Sequence, residues 1–447
     1  MTKRKDLTEG SIVKGLISLS LPIMGTSFLQ MAYNMTDMIW LGRVGGKAVA
    51  AAGTAGFYMW LSFAFIIITK VGGEIKVSQS IGKKDFAESK DYAKTAIQLT
   101  VIISILYFIF VQVFKYPLIS FFKIDDDYVV KEAVSYLNIV SYGFIFAFIN
   151  PLLTGMFNSY GDSKTPFYLN TIGLIANMIL DPVLILGYFG VKPMGVFGAG
   201  LATIIAQLVV TLAFLIYIFR TKTVFREIKL FSSINFLKTK EIFRLGVPAA
   251  MQSALFTAIS MAIARIVSSY GALAIAAQKV GAQIESISWM TAGGFQGALA
   301  AFVGQNYGAK KEERIKKGYN ISIKLISLIG LFATIILFVF AKEIFSFFIP
   351  EEETINFGVS YLKIMAYSQI FMCIELTTAG AFNGISKTMP PSIISISFNA
   401  LRIPMAFYFS KVMGIDGIWW AITISSILKG LILYLWFVKK LKRGIIA

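Results

Sequence analysis

Residues 95–114 read TAIQLTVIISILYFIFVQVF, twenty residues without one charge. Wound into a helix they rise about 30 Å, the thickness of the hydrocarbon core of a bilayer. A strand of a membrane barrel would instead read as about ten residues of alternating polarity. The stretch is a membrane-spanning helix, and the chain repeats the pattern. Apolar segments of similar length occupy residues 12–41, 49–72, 94–114, 131–156, 166–188, 196–219, 244–268, 273–302, 319–341, 355–382, 389–410 and 416–438. Composition agrees: 56% of the 447 residues are apolar, 15% are charged and the mean hydropathy is +0.71. Soluble domains average nearer 45–50% apolar and about 25% charged.

The formal net charge of +18 raises the question of nucleic acid. The basic residues, however, lie in short segments between apolar runs, with no separate basic domain, which excludes a nucleic-acid module. They also alternate along the chain. One set of connections holds Lys3, Arg4 and Lys5, Lys83 and Lys84, Arg220 to Arg244, Lys310 to Lys317, and Lys439 to Arg443. The intervening set is acidic, with Asp125, Asp126, Asp127, Glu351, Glu352, Glu353 and Asp416. By the positive-inside rule both termini are expected in the cytoplasm, in a plasma (inner) membrane, with membrane lipid as the surrounding solvent. The basic N-terminus before an apolar run loosely mimics a signal peptide. The run continues past Trp40 with Pro22 and Asp37 inside it, so it is read as a retained first span.

Cys373 is the only cysteine and there is no histidine, which excludes an intrachain disulfide, CxxC sites and His-based catalysis or metal ligation. With no nucleophile–base pair in view, an enzyme is not expected, nor is any cofactor.

The two halves of the chain repeat one another. Pro22 matches Pro248, Gly45 matches Gly271, and Gln79-Ser-Ile-Gly-Lys-Lys84 matches Gln305-Asn-Tyr-Gly-Ala-Lys310, all at a spacing of 226 residues. Further on, Gly155-Met-Phe-Asn158 matches Gly380-Ala-Phe-Asn383, and Asn177 to Pro182 matches Asn399 to Pro404. Six spans per half in the same orientation make a parallel repeat, which is a transporter plan. The fold class expected is an all-α integral membrane protein, twelve transmembrane helices in two pseudo-symmetric six-helix bundles. The expected division is an N-terminal lobe 1–222, a cytoplasmic linker 223–243 and a C-terminal lobe 244–447.

An acid at membrane depth is costly and marks function by default. In the first span Gln30, Tyr33, Asn34 and Asp37 form one helical stripe, expected to line the lobe interior or a wet cavity. In the fifth, Asn177 and Asp181 share a face, and Pro182 frees the carbonyl of Met178 one turn earlier. Pro22 and Pro182 are the expected helix bends. Carboxylate, amide oxygen and free carbonyl suit a hard monovalent cation or a proton. The repeat partners of the two acids are Ile263 and Ile403. Glu375, matched to Asn150, is a candidate to face a substrate cavity. Glu285 lies near Lys279, so an ion pair between them competes with a transport role. Glu74 reads as interfacial, and Arg265 and Arg402 as snorkelling residues or answers to the acids.

Leu21-Pro22, Asp37, Gly304-Gln-Asn-Tyr-Gly-Ala309 and the paired Phe-Asn…Ser-Lys-Thr segments, in this order and spacing, resemble the multidrug and toxic compound extrusion (MATE) transporters along residues 8–440. That resemblance implies a rocking antiporter, expected to act as a monomer, that expels small organic cations or amphiphiles in exchange for Na⁺ or H⁺. It further implies the prokaryotic branch whose coupling acids lie in the N-terminal lobe: Asp37, Asn177 and Asp181, with Thr203 as a further cation ligand. Na⁺ is the metal ion these four would take. Tyr33 and Asn158 fit polar positions near the same cavity. The span-seven glutamate of another branch is missing from residues 249–264. The alternative on the same two-lobe plan is a flippase for lipid-linked saccharide or peptidoglycan precursors, which often carries basic residues in its cavity and extra spans.

Overall fold

A computed structural model describes residues 6–221, 224–228, 230, 232–349 and 351–445. Lys3, Arg4, Lys5, Lys222 and Lys229, which belong to the basic segments, lie outside the described residues.

The described chain is helical with no strand. In order come α1 (Ile12–Val44), α2 (Gly46–Gly82), α3 (Phe86–Ser120), α4 (Asp127–Ser141), α5 (Phe144–Ser159), α6 (Lys164–Leu186) and α7 (Gly195–Arg220). The second half follows with α8 (Phe236–Ser268), α9 (Ala272–Gly308), α10 (Glu312–Val339), α11 (Ala341–Phe348), α12 (Glu352–Ala366), α13 (Gln369–Gly384), α14 (Met389–Met413) and α15 (Ile415–Arg443). Nine of these are long and apolar enough to cross a membrane alone. Two pairs cross only together: α4 with α5, bent by 53°, and α12 with α13, bent by 52°. The twelfth expected span is α9, which is as long as α2, at 37 residues, and falls on it at the 226-residue offset.

The repeat is visible in the backbone. Gly45 and Gly271 both take positive φ, 140° and 97°, where α1 turns into α2 and α8 into α9. Lys84 and Lys310 both take a left-handed conformation, φ 62° and 57°, in the turns that follow. A side chain is strained there, so the shared exception points to a shared turn geometry.

The chain divides into two compact units, though not at residues 223–243. Unit 1 holds Gly25–Ala250; unit 2 holds Leu7–Met24 and Met251–Ala447. The two borders fall inside α1 and α8, again 226 residues apart (250 less 24), each two residues after the helix's proline. Proline removes a backbone hydrogen bond from the helix interior, so the ends of one helix can follow different neighbours. In unit 1 the start of α8 presses on α2. A β-carbon at Gly246 would lie 1.9 Å from the Ile68 carbonyl oxygen, and one at Gly72 2.3 Å from that of Ile242. Small residues permit this approach of backbones. In unit 2 the start of α1 buries Leu16 and Leu19 against Ala298, Leu299 and Phe302 of α9.

Candidate functional site

Four helices of unit 1 converge on two acids, Asp181 buried and Asp37 half-buried. α1 supplies Tyr33 and Asp37, one turn apart; α6 supplies Asn177 and Asp181, also one turn apart; α7 supplies Thr203 and α4 supplies Tyr136. Asn177 and Asp181 are wholly buried, and Tyr33, Tyr136 and Thr203 nearly so. Asn177 Nδ2 donates to Asp181 Oδ1 at 3.1 Å, which orients both side chains. The Tyr33 hydroxyl donates to the Thr203 carbonyl at 3.3 Å, and the Thr203 hydroxyl donates to the Ala199 carbonyl at 2.9 Å. The Asp37 carboxyl sits against the side chains of Asp181, Asn177 and Thr203, and the Tyr136 hydroxyl reaches the Thr203 side chain. Tyr136 is not singled out by the sequence, since one tyrosine in an apolar span carries no periodic signal.

Electrostatics make this cluster unusual. Neither Asp37 nor Asp181 forms an ion pair with a lysine or arginine among the described residues. Asp37 Oδ1, Asp181 Oδ2 and Asn177 Oδ1 are buried and accept no hydrogen bond. Two carboxylates side by side in a low-dielectric interior repel, and each orphaned acceptor is costly. A proton or a small cation between them removes both penalties. Every available ligand atom is oxygen: two carboxylates, an amide, a hydroxyl and the Met178 carbonyl that Pro182 leaves free. That set fits Na⁺ as well as H⁺. No group of three or more His, Cys, Asp or Glu side chains is placed to hold a metal ion among the described residues. The cluster has two acids, suited to a weakly held, exchangeable ion.

The stripe on α1 divides. Tyr33 and Asp37 turn into unit 1, whereas Gln30 and Asn34 are exposed on its surface. Asn150 is engaged in helix packing: its Nδ2 donates to the carbonyl and Oε1 of Gln207 at 2.9 and 2.8 Å, and its Oδ1 accepts from Thr211 at 2.8 Å. Asn158 is buried on α5 with its Oδ1 unpartnered.

The acids of unit 2 are answered. Glu375 and Lys429 form a buried ion pair at 3.1 Å. Glu285 is bound by Tyr361 and Gln369 rather than by Lys279: the tyrosine hydroxyl donates at 2.7 Å and the Gln369 amide at 2.8 Å. Six residues along a helix is 240° further round, which turns Lys279 off the face of Glu285. Arg402 donates to Ser425 and Ser426 at 2.7 and 2.9 Å. Each of these partners comes from another helix and is invisible to local spacing.

Comparison with known proteins places the fold in a family. The MatE family model matches the chain twice, at residues 22–183 and 248–408, so each match begins at one of the paired prolines. A probable multidrug resistance protein NorM of Thermotoga maritima is 28% identical over 433 residues, covering 95% of this chain and 92% of the relative. Probable multidrug resistance protein YoeA of Bacillus subtilis is 27% identical, covering 94% and 91%. A solved MATE structure in the bent conformation superposes with a TM-score of 0.91 at 22% identity, over 99% of this chain and 98% of that one, which shows the common fold. The chain belongs to the MatE family of multidrug efflux transporters, multi-pass proteins of the membrane.

Proposed function

We propose that the protein is a secondary active antiporter that exports small organic compounds, often cationic, in exchange for Na⁺ or H⁺. The observation that carries this reading is the acid pair of unit 1, buried against an amide and a hydroxyl with no basic partner. An ion entering from outside binds Asp37 and Asp181 with help from Asn177 and Thr203. Neutralising the pair removes an attractive contact for a cationic substrate and biases α1 and α6, the helices interrupted by Pro22 and Pro182. Differential affinity of ion and substrate for the outward-open and inward-open states then drives the cycle. The driving force is sufficient. A monovalent cation crossing about 100 mV releases about 2.3 kcal/mol, and a tenfold gradient adds about 1.4 kcal/mol. Both termini are cytoplasmic in this reading, the membrane is the plasma membrane, and Tyr33 and Asn158 contribute to the substrate path of unit 1.

The test is gradient-driven movement of ethidium in liposomes holding the purified full-length protein, with Na⁺ and pH gradients imposed separately. Asp37→Asn and Asp181→Asn are each expected to slow coupled transport by at least about tenfold, the loss of some 1.4 kcal/mol of differential ion binding. Transport at the normal rate in both variants overturns the assignment. Dye movement under neither gradient in the unaltered protein would turn attention to lipid-linked substrates.

A further inference from the structure

Unit 1 contains a third acid packed between helices, one that the Asp37–Asp181 cluster does not use. Glu74 lies on α2 two turns before its end, among residues that are nearly all buried: Gly72, Gly73, Ile75 and Val77 to Gly82. The residue itself is half-buried, and its carboxylate folds against α5. A β-carbon at Gly155 would lie 1.9 Å from Glu74 Oε1, so glycine is what leaves room for the carboxylate. The Ser159 hydroxyl donates to the Glu74 backbone carbonyl at 3.0 Å, which registers this turn of α5 on α2. Between Gly155 and Ser159, on the same face, stands Asn158, with its buried amide oxygen unpartnered.

The charges around Glu74 do not satisfy it. Its carboxylate makes no ion pair and no hydrogen bond among the described residues. Lys70, one turn earlier on α2, acts on it without forming an ion pair. Lys76 is engaged by Glu241 of α8 at 2.7 Å. α5 contributes no acid, lysine or arginine. A carboxylate and an orphaned amide oxygen thus recur here, as at Asp181 and Asn177. At the 226-residue offset the place of Glu74 is taken in unit 2 by Ala300, as that of Asp37 is by Ile263; Asp181 is matched by Ile403 at an offset of 222.

We propose that Glu74 and Asn158, in the cradle that Gly155 leaves open, form a second monovalent-cation site in unit 1. It lies towards the end of α2 that leads into the basic turn Lys83-Lys84, which is the cytoplasmic end by the charge rule, and it receives the ion released from Asp37 and Asp181. This rests on the coupling-ion reading of unit 1. Na⁺ and H⁺ share the chemistry, and the arms of the test separate them.

The experiment combines a variant pair with labelling of the unaltered protein. In liposomes under a Na⁺ or a pH gradient, Glu74→Gln is expected to slow ethidium transport at least about tenfold while leaving ethidium binding unchanged, and Glu74→Asp to recover a third or more of the rate. In the unaltered protein, a hydrophobic carbodiimide at pH 7 is expected to modify Glu74, as read by peptide mass, and Na⁺ or raised pH to suppress that modification at least about fivefold. Suppression by Na⁺ identifies Na⁺, and suppression by pH alone identifies H⁺. Normal transport by Glu74→Gln overturns the site, as does failure of both variants with dye binding intact, which is a packing role. Where Glu74→Gln does not fold, the labelling decides: an unmodified Glu74, or modification indifferent to Na⁺ and pH, overturns it. If the unaltered protein moves no dye under either gradient, the antiport reading fails, while ion-sensitive labelling still reports the site.

Discussion

Units 1 and 2 share a helix plan to within a few residues, yet hold their buried acids in opposite electrostatic circumstances. In unit 2, Glu375 has Lys429, and Glu285 has Tyr361 and Gln369. In unit 1, Asp37, Asp181 and Glu74 have no base within ion-pair distance among the described residues, and Asp37 Oδ1, Asp181 Oδ2 and the amide oxygens of Asn177 and Asn158 are buried without a partner. A buried carboxylate with a fixed partner is part of the structure, because removing one member leaves the other charged and unpaired. A buried carboxylate without one is held ready for a mobile partner. On the proposed reading, the comparison separates acids that stabilise the protein from acids that would bind an ion, in one molecule on one scaffold.

Substitutions in the two units should therefore move stability in opposite directions. The largest change in thermal stability is expected from Lys429→Met, which strands Glu375: roughly 3 kcal/mol is typical for breaking a buried pair. Adding Glu375→Leu to it should restore most of the loss. Melting of the purified protein in detergent measures both, and additive losses in the double variant would show that the two residues are not a pair. Glu285→Gln comes next. It turns an amide N–H₂ toward one of two donors, Tyr361 or Gln369, at about 1–3 kcal/mol for the unsatisfied group. Glu285→Gln with Gln369→Glu reverses the donor and acceptor and should regain stability; no recovery would mean that a charge at position 285 itself is required.

Asp181→Leu in unit 1 should leave the melting temperature unchanged or raise it, since it removes a repelling, half-satisfied carboxylate, while abolishing coupled transport. A marked loss of stability there would erase the distinction between the units. The smallest effect belongs to the acidic loop of unit 1. Asp126 caps α4 through the backbone N–H groups of Tyr128 and Val129 and pairs with Lys47 at 2.7 Å. Lys47 first, and then the capping bonds, hold its carboxyl below the usual aspartate range. A lowered native value means that its contribution is full above the unfolded value, about 3.9, and fades as pH falls through the native one. Asp126→Asn should thus lower the melting temperature slightly at pH 7 and not at all in strong acid.

Much of the site is legible in the chain's linear order. Asp37 and Asp181 stand out because a charge in an apolar run has no bland explanation in lipid, and Asn177 because four residues is one helical turn. The stripe on α1 is legible only in part. A period of 3.6 places Gln30, Tyr33, Asn34 and Asp37 on one side of a helix, but that side is wide. One edge of it, with Tyr33 and Asp37, meets α6 and α7, while Gln30 and Asn34 on the other edge remain outside the contact. Glu285 shows the opposite failure: Lys279 is the near neighbour in sequence, and the partners come from residues 361 and 369.

The class of protein, the number of spans and the twofold repeat follow from the amino-acid order alone. Hydropathy and segment length are sums over neighbours along the chain, and the bilayer enforces them helix by helix. Which acids are answered, and where the compact units divide, is settled by packing in three dimensions. Glu375 finds Lys429 and Asp37 finds Asp181 across gaps in sequence that loops of any length could close. Packing of glycine-lined helix faces, and a proline that lets α1 and α8 serve two units each, selects those meetings.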